Sequence, residues 1–290
     1  MSDSHRATLC LEQAEILSHQ AYAGDQFVLR LQAPRCAAKA KPGSFVHLQC
    51  DLLLPMRRPI SIMRVAATEG WVELLYKRVG QGTGLLAQRQ VGETLSMLGP
   101  IGQPFSPSTE RTRPLLIGGG VGMPPMIFLA DAMRQAQDKQ PFVILGSEVP
   151  FPFTLRPSQI LIPGLPDGVI AGMPLLDDWG VPSRLASQQD FAGCYQGYVT
   201  DLARHWLDSL DPQVLQKVEV FACGPHPMLE AVAGLAREYQ LPCQISLEEF
   251  MACAVGGCAG CVVEVNTAQG PAMRRVCVDG PVFDASTVVF

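Results

Sequence analysis

The sequence predicts a β plus α/β architecture, with an antiparallel barrel first, a parallel α/β domain second and a small metal-held module last. Three observations carry this. Short apolar or alternating runs broken by turns fill the first third of the chain. After Pro114 the pattern changes to strands alternating with helices, and four cysteines then crowd the C-terminal segment. The expected divisions are residues 1–103, 112–240 and 241–290.

The barrel rests on six candidate strands: Thr8–Ser18, Gln26–Ala33, Ser44–Gln49, Ile60–Val65, Trp71–Val79 and Glu93–Leu98. Gly24-Asp25, Lys41-Pro42-Gly43, Glu69-Gly70 and Val91-Gly92 punctuate them, as turns between antiparallel strands require. One short helix is expected near Gly84–Arg89, and the polar, proline-bearing stretch Pro104–Pro114 reads as a linker.

The second domain opens on a buried strand, Pro114–Gly118, a glycine-rich turn to Gly122 and a helix, Pro124–Gln137, with proline in its first turn. A strand at Phe142–Leu145 follows, then a helix (Tyr198–Leu210), a strand (Val218–Ala222) and a helix (Pro227–Tyr239). Such alternation means a parallel sheet with crossovers. Between Ser147 and Asp190, two short strands are expected, at Gln159–Ile162 and Val169–Ala171, with irregular connections.

Beyond a strand at Cys243–Leu247 comes Cys253-Ala-Val-Gly-Gly-Cys258-Ala-Gly-Cys261, with Cys277 following later. Small residues between thiols let the backbone wrap closely around a metal centre. The C-x4-C-x2-C spacing with a distant fourth cysteine is the ferredoxin-like pattern for an iron–sulfur cluster. Zinc sites pair their ligands as C-x2-C knuckles at both ends, which fits less well. Four buried or disulfide-bonded cysteines are the remaining alternative. Short strands are expected at Val262–Asn266, Met273–Val278 and Val282–Phe283.

Bulk properties narrow the partners. The 290 residues suit about two domains. A net charge of −5 with no basic stripe argues against nucleic acid. Met1-Ser-Asp-Ser-His-Arg lacks the apolar core of a secretory signal, and the longest apolar run, Val121–Ala130, holds a double proline, so no membrane span is expected. Ten cysteines without such a signal point to a reducing cytoplasm. The five histidines are scattered, and none is assigned a catalytic role.

Four motifs carry the chemistry. Arg57-Arg58-Pro59-Ile60-Ser61 places a guanidinium and a hydroxyl at a strand entry, where both are expected to reach one phosphate. Tyr76-Lys77-Arg78-Val79-Gly80-Gln81-Gly82-Thr83-Gly84 joins a strand to a helix through three glycines, a candidate pyrophosphate cradle. Tyr76 is a candidate for stacking on a flat ring or for plain barrel core. Gly118-Gly119-Gly120-Val121-Gly122 lies between a strand and a helix, as in nucleotide sites, although Met123 and Pro124 break the usual Rossmann fingerprint. Cys223-Gly224-Pro225 again ends a strand before a helix, leaving a shelf beside a flat ring.

These motifs and their order resemble the ferredoxin–NADP⁺ reductase superfamily. The cysteine tail, with Ser246–Cys253 and Arg275–Phe283 around it, resembles the iron–sulfur electron-transfer subunits of NAD-dependent dihydroorotate dehydrogenase. The resemblance implies that Arg58, Pro59, Ile60, Ser61, Leu75, Tyr76, Lys77, Gly82 and Thr83 hold FAD. It also implies that Gly118, Gly119, Gly120, Val121, Gly122, Gly224 and Pro225 face NAD with Cys223 beside the nicotinamide, and that Cys253, Cys258, Cys261 and Cys277 ligate a 2Fe–2S cluster. It further implies an FMN-containing dihydroorotate dehydrogenase partner, in a heterotetramer, acting in pyrimidine biosynthesis.

The chain departs from that pattern in places. Phe250 stands where a basic residue is common, and Ser187-Gln188-Gln189-Asp190 stands where an acidic pair grips the adenosine ribose. Ser183-Arg184 is a candidate for a 2′-phosphate, which would make the nucleotide NADP. Two other functions stay open: a flavin reductase subunit serving a ferredoxin, hydrogenase or sulfide dehydrogenase partner, and a non-enzymatic zinc-binding regulator.

Overall fold

The computed structural model describes residues 8–136 and 138–290. Met1–Arg6, which the secretory-signal argument used, and Gln137, the expected end of a helix, lie outside the described residues.

The N-terminal elements are β1 (Cys10–Tyr22), β2 (Gln26–Gln32), α1 (Pro34–Ala37), β3 (Phe45–Leu48), β4 (Arg58–Ala66), β5 (Trp71–Lys77), α2 (Gln81–Leu86) and β6 (Thr94–Ile101). The six strands close into a barrel ordered β1-β2-β5-β4-β3-β6, with every neighbouring pair antiparallel. Gly24 and Asp25, both at positive φ, make the first hairpin turn. Leu29, Leu31, Ile62, Val72, Leu74 and Met97 are fully buried, each contributing about 1.5–3 kcal/mol of transfer free energy. The helix α1 is not anticipated by the sequence, because four residues after a proline are too few to show a helical period.

The middle of the chain forms β7 (Arg113–Gly119), a 3₁₀ turn (Gly120–Gly122), α3 (Met123–Arg134), β8 (Phe142–Gly146), β9 (Arg156–Pro157), β10 (Ala171–Gly172), α4 (Pro174–Asp178), β11 (Ser183–Ser187), β12 (Tyr195–Gln196), α5 (Val199–Asp208), α6 (Pro212–Leu215), β13 (Val218–Cys223), α7 (His226–Glu238) and β14 (Cys243–Ser246). Its sheet runs β12-β11-β8-β7-β13-β14, parallel between β12 and β13. Asp284–Ser286 returns along β14, where the Ala285 N–H donates to the Cys243 carbonyl.

Two expectations need correction here. Gln159–Ile162 forms no strand, and only Ala171 of the second run pairs, as part of β10; the longer strand of this stretch is β11. Its polar ends, Ser183-Arg184 and Ser187, hid it. Those polar groups are satisfied locally, the Ser187 hydroxyl donating to the Ser147 carbonyl at 2.7 Å. The expected linker is also fastened down: Ser108 N–H donates to Glu219 and the Arg111 guanidinium to the Val218 carbonyl.

The tail contributes β15 (Val262–Thr267), β16 (Gly270–Arg275) and β17 (Val282–Asp284). β15 and β16 form a hairpin, and the chain end adds to it through Asn266 N–H to Thr287 O and Val289 N–H to Glu264 O. Packing divides the chain into two compact units. One holds the barrel through Phe105 together with Ser246–Phe283 and Thr287–Val289; the other holds Ser106–Ile245 with Asp284–Ser286 and Phe290.

Candidate functional site

Within the barrel, antiparallel register (Ile62 opposite Leu74) brings the start of β4 beside the end of β5, so the first two motifs meet. A Cβ on Gly82 would come within 2.7 Å of Arg58 Nε, so the guanidinium lies directly against that glycine. Arg57 is committed elsewhere, donating to the carbonyls of His47 and Ser96 and to the Ser96 hydroxyl. Arg58 donates to the carbonyls of Met56 and Arg57. Because side chains alternate along a strand, Arg58 and Ser61 leave opposite faces of β4. The two side chains therefore leave the strand in opposite directions.

Tyr76 belongs to the barrel wall. It is buried, stacks on Phe27 at 5.2 Å and bonds through its hydroxyl to His19 Nε2 at 2.8 Å. Leu75 is buried as well, so at Leu75 and Tyr76 the backbone, rather than the side chain, is what a ligand can use. The Thr83 hydroxyl accepts from the amides of Val79 and Gly80 and so closes the turn into α2.

In the second unit the two glycine motifs converge. Gly118 pairs with Cys223 across β7 and β13. A Cβ on Gly122 would meet the Cys223 carbonyl oxygen at 2.3 Å, and one on Gly119 would meet Met228 Sδ at 2.4 Å. At Gly122 the neighbour is backbone, so only glycine allows this approach, whereas at Gly119 it is the end of the flexible Met228 side chain. After β7 the chain moves to one side through β8, β11 and β12, then returns to the other side with β13. The motifs thus occupy the point where the strand order reverses, at the carboxyl ends of the strands, which is where open α/β sheets bind ligands. Cys223 itself is fully buried, and the Cys223–Gly224 peptide forms the floor beneath Gly122.

The carboxyl ends of β8 and β11 carry the exposed residues Glu148, Gln188, Gln189 and Asp190. Beyond them Phe151 packs on Phe153 and Phe191, a cluster the sequence reading did not single out. Ser183 and Arg184 lie at the opposite end of β11. Arg184 is buried, and its guanidinium donates to the carbonyls of Val169, Ser183 and Ile160, while the Ser183 hydroxyl accepts from Met173 N–H. They are structural and do not face a 2′-phosphate, because a parallel sheet presents its ligand edge at the other end.

All ten cysteines are thiols, so the disulfide alternative does not hold. Left-handed backbone at Ala254, Gly256 and Ala259 turns successive amides inward. The amides of Val255 and Cys258 donate to Cys253 Sγ at 3.5 and 3.4 Å, and the Gly260 amide donates to Cys258 Sγ at 3.4 Å. Burial alone would push the Cys253 thiol up, but the amides of Val255, Cys258 and Gly257 and the Cys258 thiol outweigh it and bring it down to about 7. Burial, then the Cys261 thiol, pushes Cys277 up to about 12.

Cys253 is shifted by Cys258, and Cys277 by Cys261 and also by Cys253. Among the described residues no three His, Cys, Asp or Glu side chains gather around one point. The C-x4-C-x2-C spacing of these thiols suits an iron–sulfur cluster better than one tetrahedral zinc. Arg275 closes the loop. Its guanidinium donates to the Gly256 carbonyl at 3.1 Å and its N–H to Asp279 at 2.8 Å, while Val276 N–H donates to Cys261 O.

A closed barrel with an Arg-x-x-Ser strand, a parallel sheet with glycine motifs at its reversal point and a cysteine loop define a ferredoxin-reductase-like oxidoreductase subunit. Solved structures agree on the fold. The NADH-dependent reduced ferredoxin–NADP oxidoreductase matches with a TM-score of 0.76 at 25% identity, over 96% of this chain and 90% of that one. A ferredoxin reductase of carbazole 1,9a-dioxygenase matches at 0.59 and 23% identity, over 80% of this chain and 65% of that one. The family model "Iron-sulfur cluster binding domain of dihydroorotate dehydrogenase B" matches residues 248–289.

Curated relatives named dihydroorotate dehydrogenase B (NAD⁺), electron transfer subunit, align over nearly the full length. The protein from Shouchella clausii is 33% identical, covering 94% of this chain and 96% of its own. That from Desulforamulus reducens is 30% identical, covering 96% and 97%. The chain belongs to this family of electron-transfer subunits.

Proposed function

We propose that the chain carries electrons between an FMN-containing dihydroorotate dehydrogenase subunit and NAD⁺, in a heterotetramer of pyrimidine biosynthesis. The observation that carries this reading is the amide-lined cysteine loop in a chain that also holds the barrel and nucleotide motifs. Bound FAD exchanges electron pairs with the nicotinamide and single electrons with a 2Fe–2S cluster, which converts one kind of transfer into the other.

Three functional modules divide the work: 1–103 for FAD, 112–240 for NAD and 241–290 for the cluster. Arg58, Pro59, Ile60 and Ser61, the backbone of Leu75, Tyr76 and Lys77, and the Gly82-Thr83 turn would hold the flavin. Gly118 to Gly122 with Gly224 and Pro225 would hold the nucleotide, with Cys223 bordering the nicotinamide. Cys253, Cys258, Cys261 and Cys277 would ligate the irons, the amides around Cys253 stabilising thiolate charge. No helix of the described residues is long and apolar enough to cross a membrane, and ten thiols fit a reducing cytoplasm.

The likeness to an NADH-dependent ferredoxin–NADP oxidoreductase favours a second reading, in which a different partner exchanges the electrons. Purification with the neighbouring subunit decides. The first reading expects a yellow-brown complex that reduces NAD⁺ with dihydroorotate. NADH oxidation by the chain with no dihydroorotate-oxidising partner bound to it favours the second, and a colourless protein removes both.

A further inference from the structure

A single imidazole joins the two ends of the glycine loop in the barrel. His19 Nδ1 lies 2.9 Å from the Arg89 carbonyl oxygen, and His19 Nε2 lies 2.8 Å from the Tyr76 hydroxyl. Tyr76 stands near the end of β5, just before the loop. Arg89 stands just past α2, its N–H donating to the Leu86 carbonyl. A carbonyl can only accept, so in the neutral ring Nδ1 carries the proton and Nε2 accepts from the Tyr76 O–H. One tautomer thus completes both hydrogen bonds.

Register puts the ring there. His19 pairs with Leu29 and Leu29 with Leu74, and both leucines are fully buried, so this face is the barrel interior. Phe27 and Tyr76, two positions along from those leucines, project to the same face. The His19 ring lies 5.5 Å from Phe27 and 5.9 Å from Tyr76, centroid to centroid. Burial pushes the Tyr76 hydroxyl above its ordinary pKa, so it keeps its proton and remains a donor. Between the two anchors runs the segment 77–88, which carries Gly82, the glycine against which Arg58 lies. The Thr83 hydroxyl, accepting from the Val79 and Gly80 amides, fixes the shape of that turn. The His19 bridge fixes where the turn stands relative to the backbone of β5.

We propose that His19 is a positioning residue for the flavin, one ring that holds the segment 77–88 at both ends and sets the Gly82-Thr83 turn against the Tyr76 backbone. This rests on the reading that the Arg-x-x-Ser strand, the backbone of β5 and the glycine turn hold FAD. His19 acts through Tyr76 and Arg89 and takes no part in the electron transfer itself. A cradle arranged beforehand loses less freedom when its ligand arrives, so more of the contact energy is kept as affinity. Without the bridge the turn stands free of β5 at both ends, and the flavin leaves sooner.

The test measures FAD release from the full-length chain on dilution, read by the recovery of flavin fluorescence. A wild-type chain that holds no FAD removes the reading beneath the proposal instead. His19→Leu fills the space with neither donor nor acceptor, whereas His19→Gln offers one of each side by side, as the ring does. His19→Leu is expected to release FAD about tenfold faster than wild type, the effect of losing two hydrogen bonds. His19→Gln is expected to stay within about twofold of wild type. Wild-type release from His19→Leu, or equally fast release from both variants, overturns the proposal. If His19→Leu fails to fold or retains no FAD, Tyr76→Phe decides, since it removes one anchor and leaves the other. Release about threefold faster than wild type upholds the bridge, and unchanged release overturns it.

Discussion

At the nucleotide edge, Gly122 lies on the Cys223–Gly224 peptide with no room for a methyl group, and Gly119 lies against the Met228 side chain. In the cysteine loop, by contrast, Cys258 is exposed, Cys253 half-exposed, and long amide-to-sulfur bonds and the Arg275 contacts hold the turn. The first site is shaped by backbone close packing. The second gathers side-chain thiols on a turn held by amide-to-sulfur bonds. A nucleotide can be met by a rigid surface, because its binding is reversible. A cluster is built once, and the loop around it can borrow rigidity from the metal.

The sharpest way to break this contrast is at the thiols. On the ligand set proposed above, Cys277→Ser is expected to lower bound iron at least about tenfold, since removing a direct ligand exceeds the 10–100-fold cost of losing a supporting contact. Binding of NADH should be untouched, as titration of the same preparation would show. Gly122→Ala should do the reverse: overpacking against the Cys223 carbonyl costs about 3 kcal/mol in urea unfolding and weakens nucleotide binding, while the cluster spectrum stays intact.

Acidification is expected to act on the barrel unit through His47. Burial holds its folded-state pKa near 4 against an ordinary value of 6.5. The unfolded chain therefore binds the proton more readily, so stability is full above pH 6.5 and falls as pH drops toward 4. The loss is at most about 3 kcal/mol. Denaturant midpoints across that window check it, and His47→Leu should flatten the profile.

Arg184→Met leaves the carbonyls of Val169, Ser183 and Ile160 without their donor. A loss of about 2 kcal/mol is expected, with the ratio of NADH to NADPH activity unchanged; a shift in that ratio would restore the 2′-phosphate role. Phe250→Ala, at a side chain 93% exposed, should change stability by less than about 0.5 kcal/mol in thermal unfolding.

Much of this was legible beforehand because it depends on local rules. Turn glycines and strand periods located all six barrel strands, and Gly118–Gly122 and Cys223–Pro225 announced themselves as strand-to-helix turns. The thiol spacing named the metal centre before any geometry was in hand. What stayed hidden depends on contacts distant in sequence. Arg184 reads as a ligand until its three carbonyl partners are seen. Tyr76 reads equally as stacking residue or core until Phe27 is found beneath it. His47 was one of five scattered histidines, and its only sequence signal is a lone polar residue among Phe45, Val46 and Leu48.

The barrel and the cysteine loop share one compact unit although the whole of Ser106–Ile245 is threaded between them. Order of synthesis therefore matters. A nascent chain that has emerged only as far as Ile245 already contains the flavin and nucleotide motifs but none of the cluster thiols. The Thr287–Val289 segment, which comes later still, completes the edge of β15.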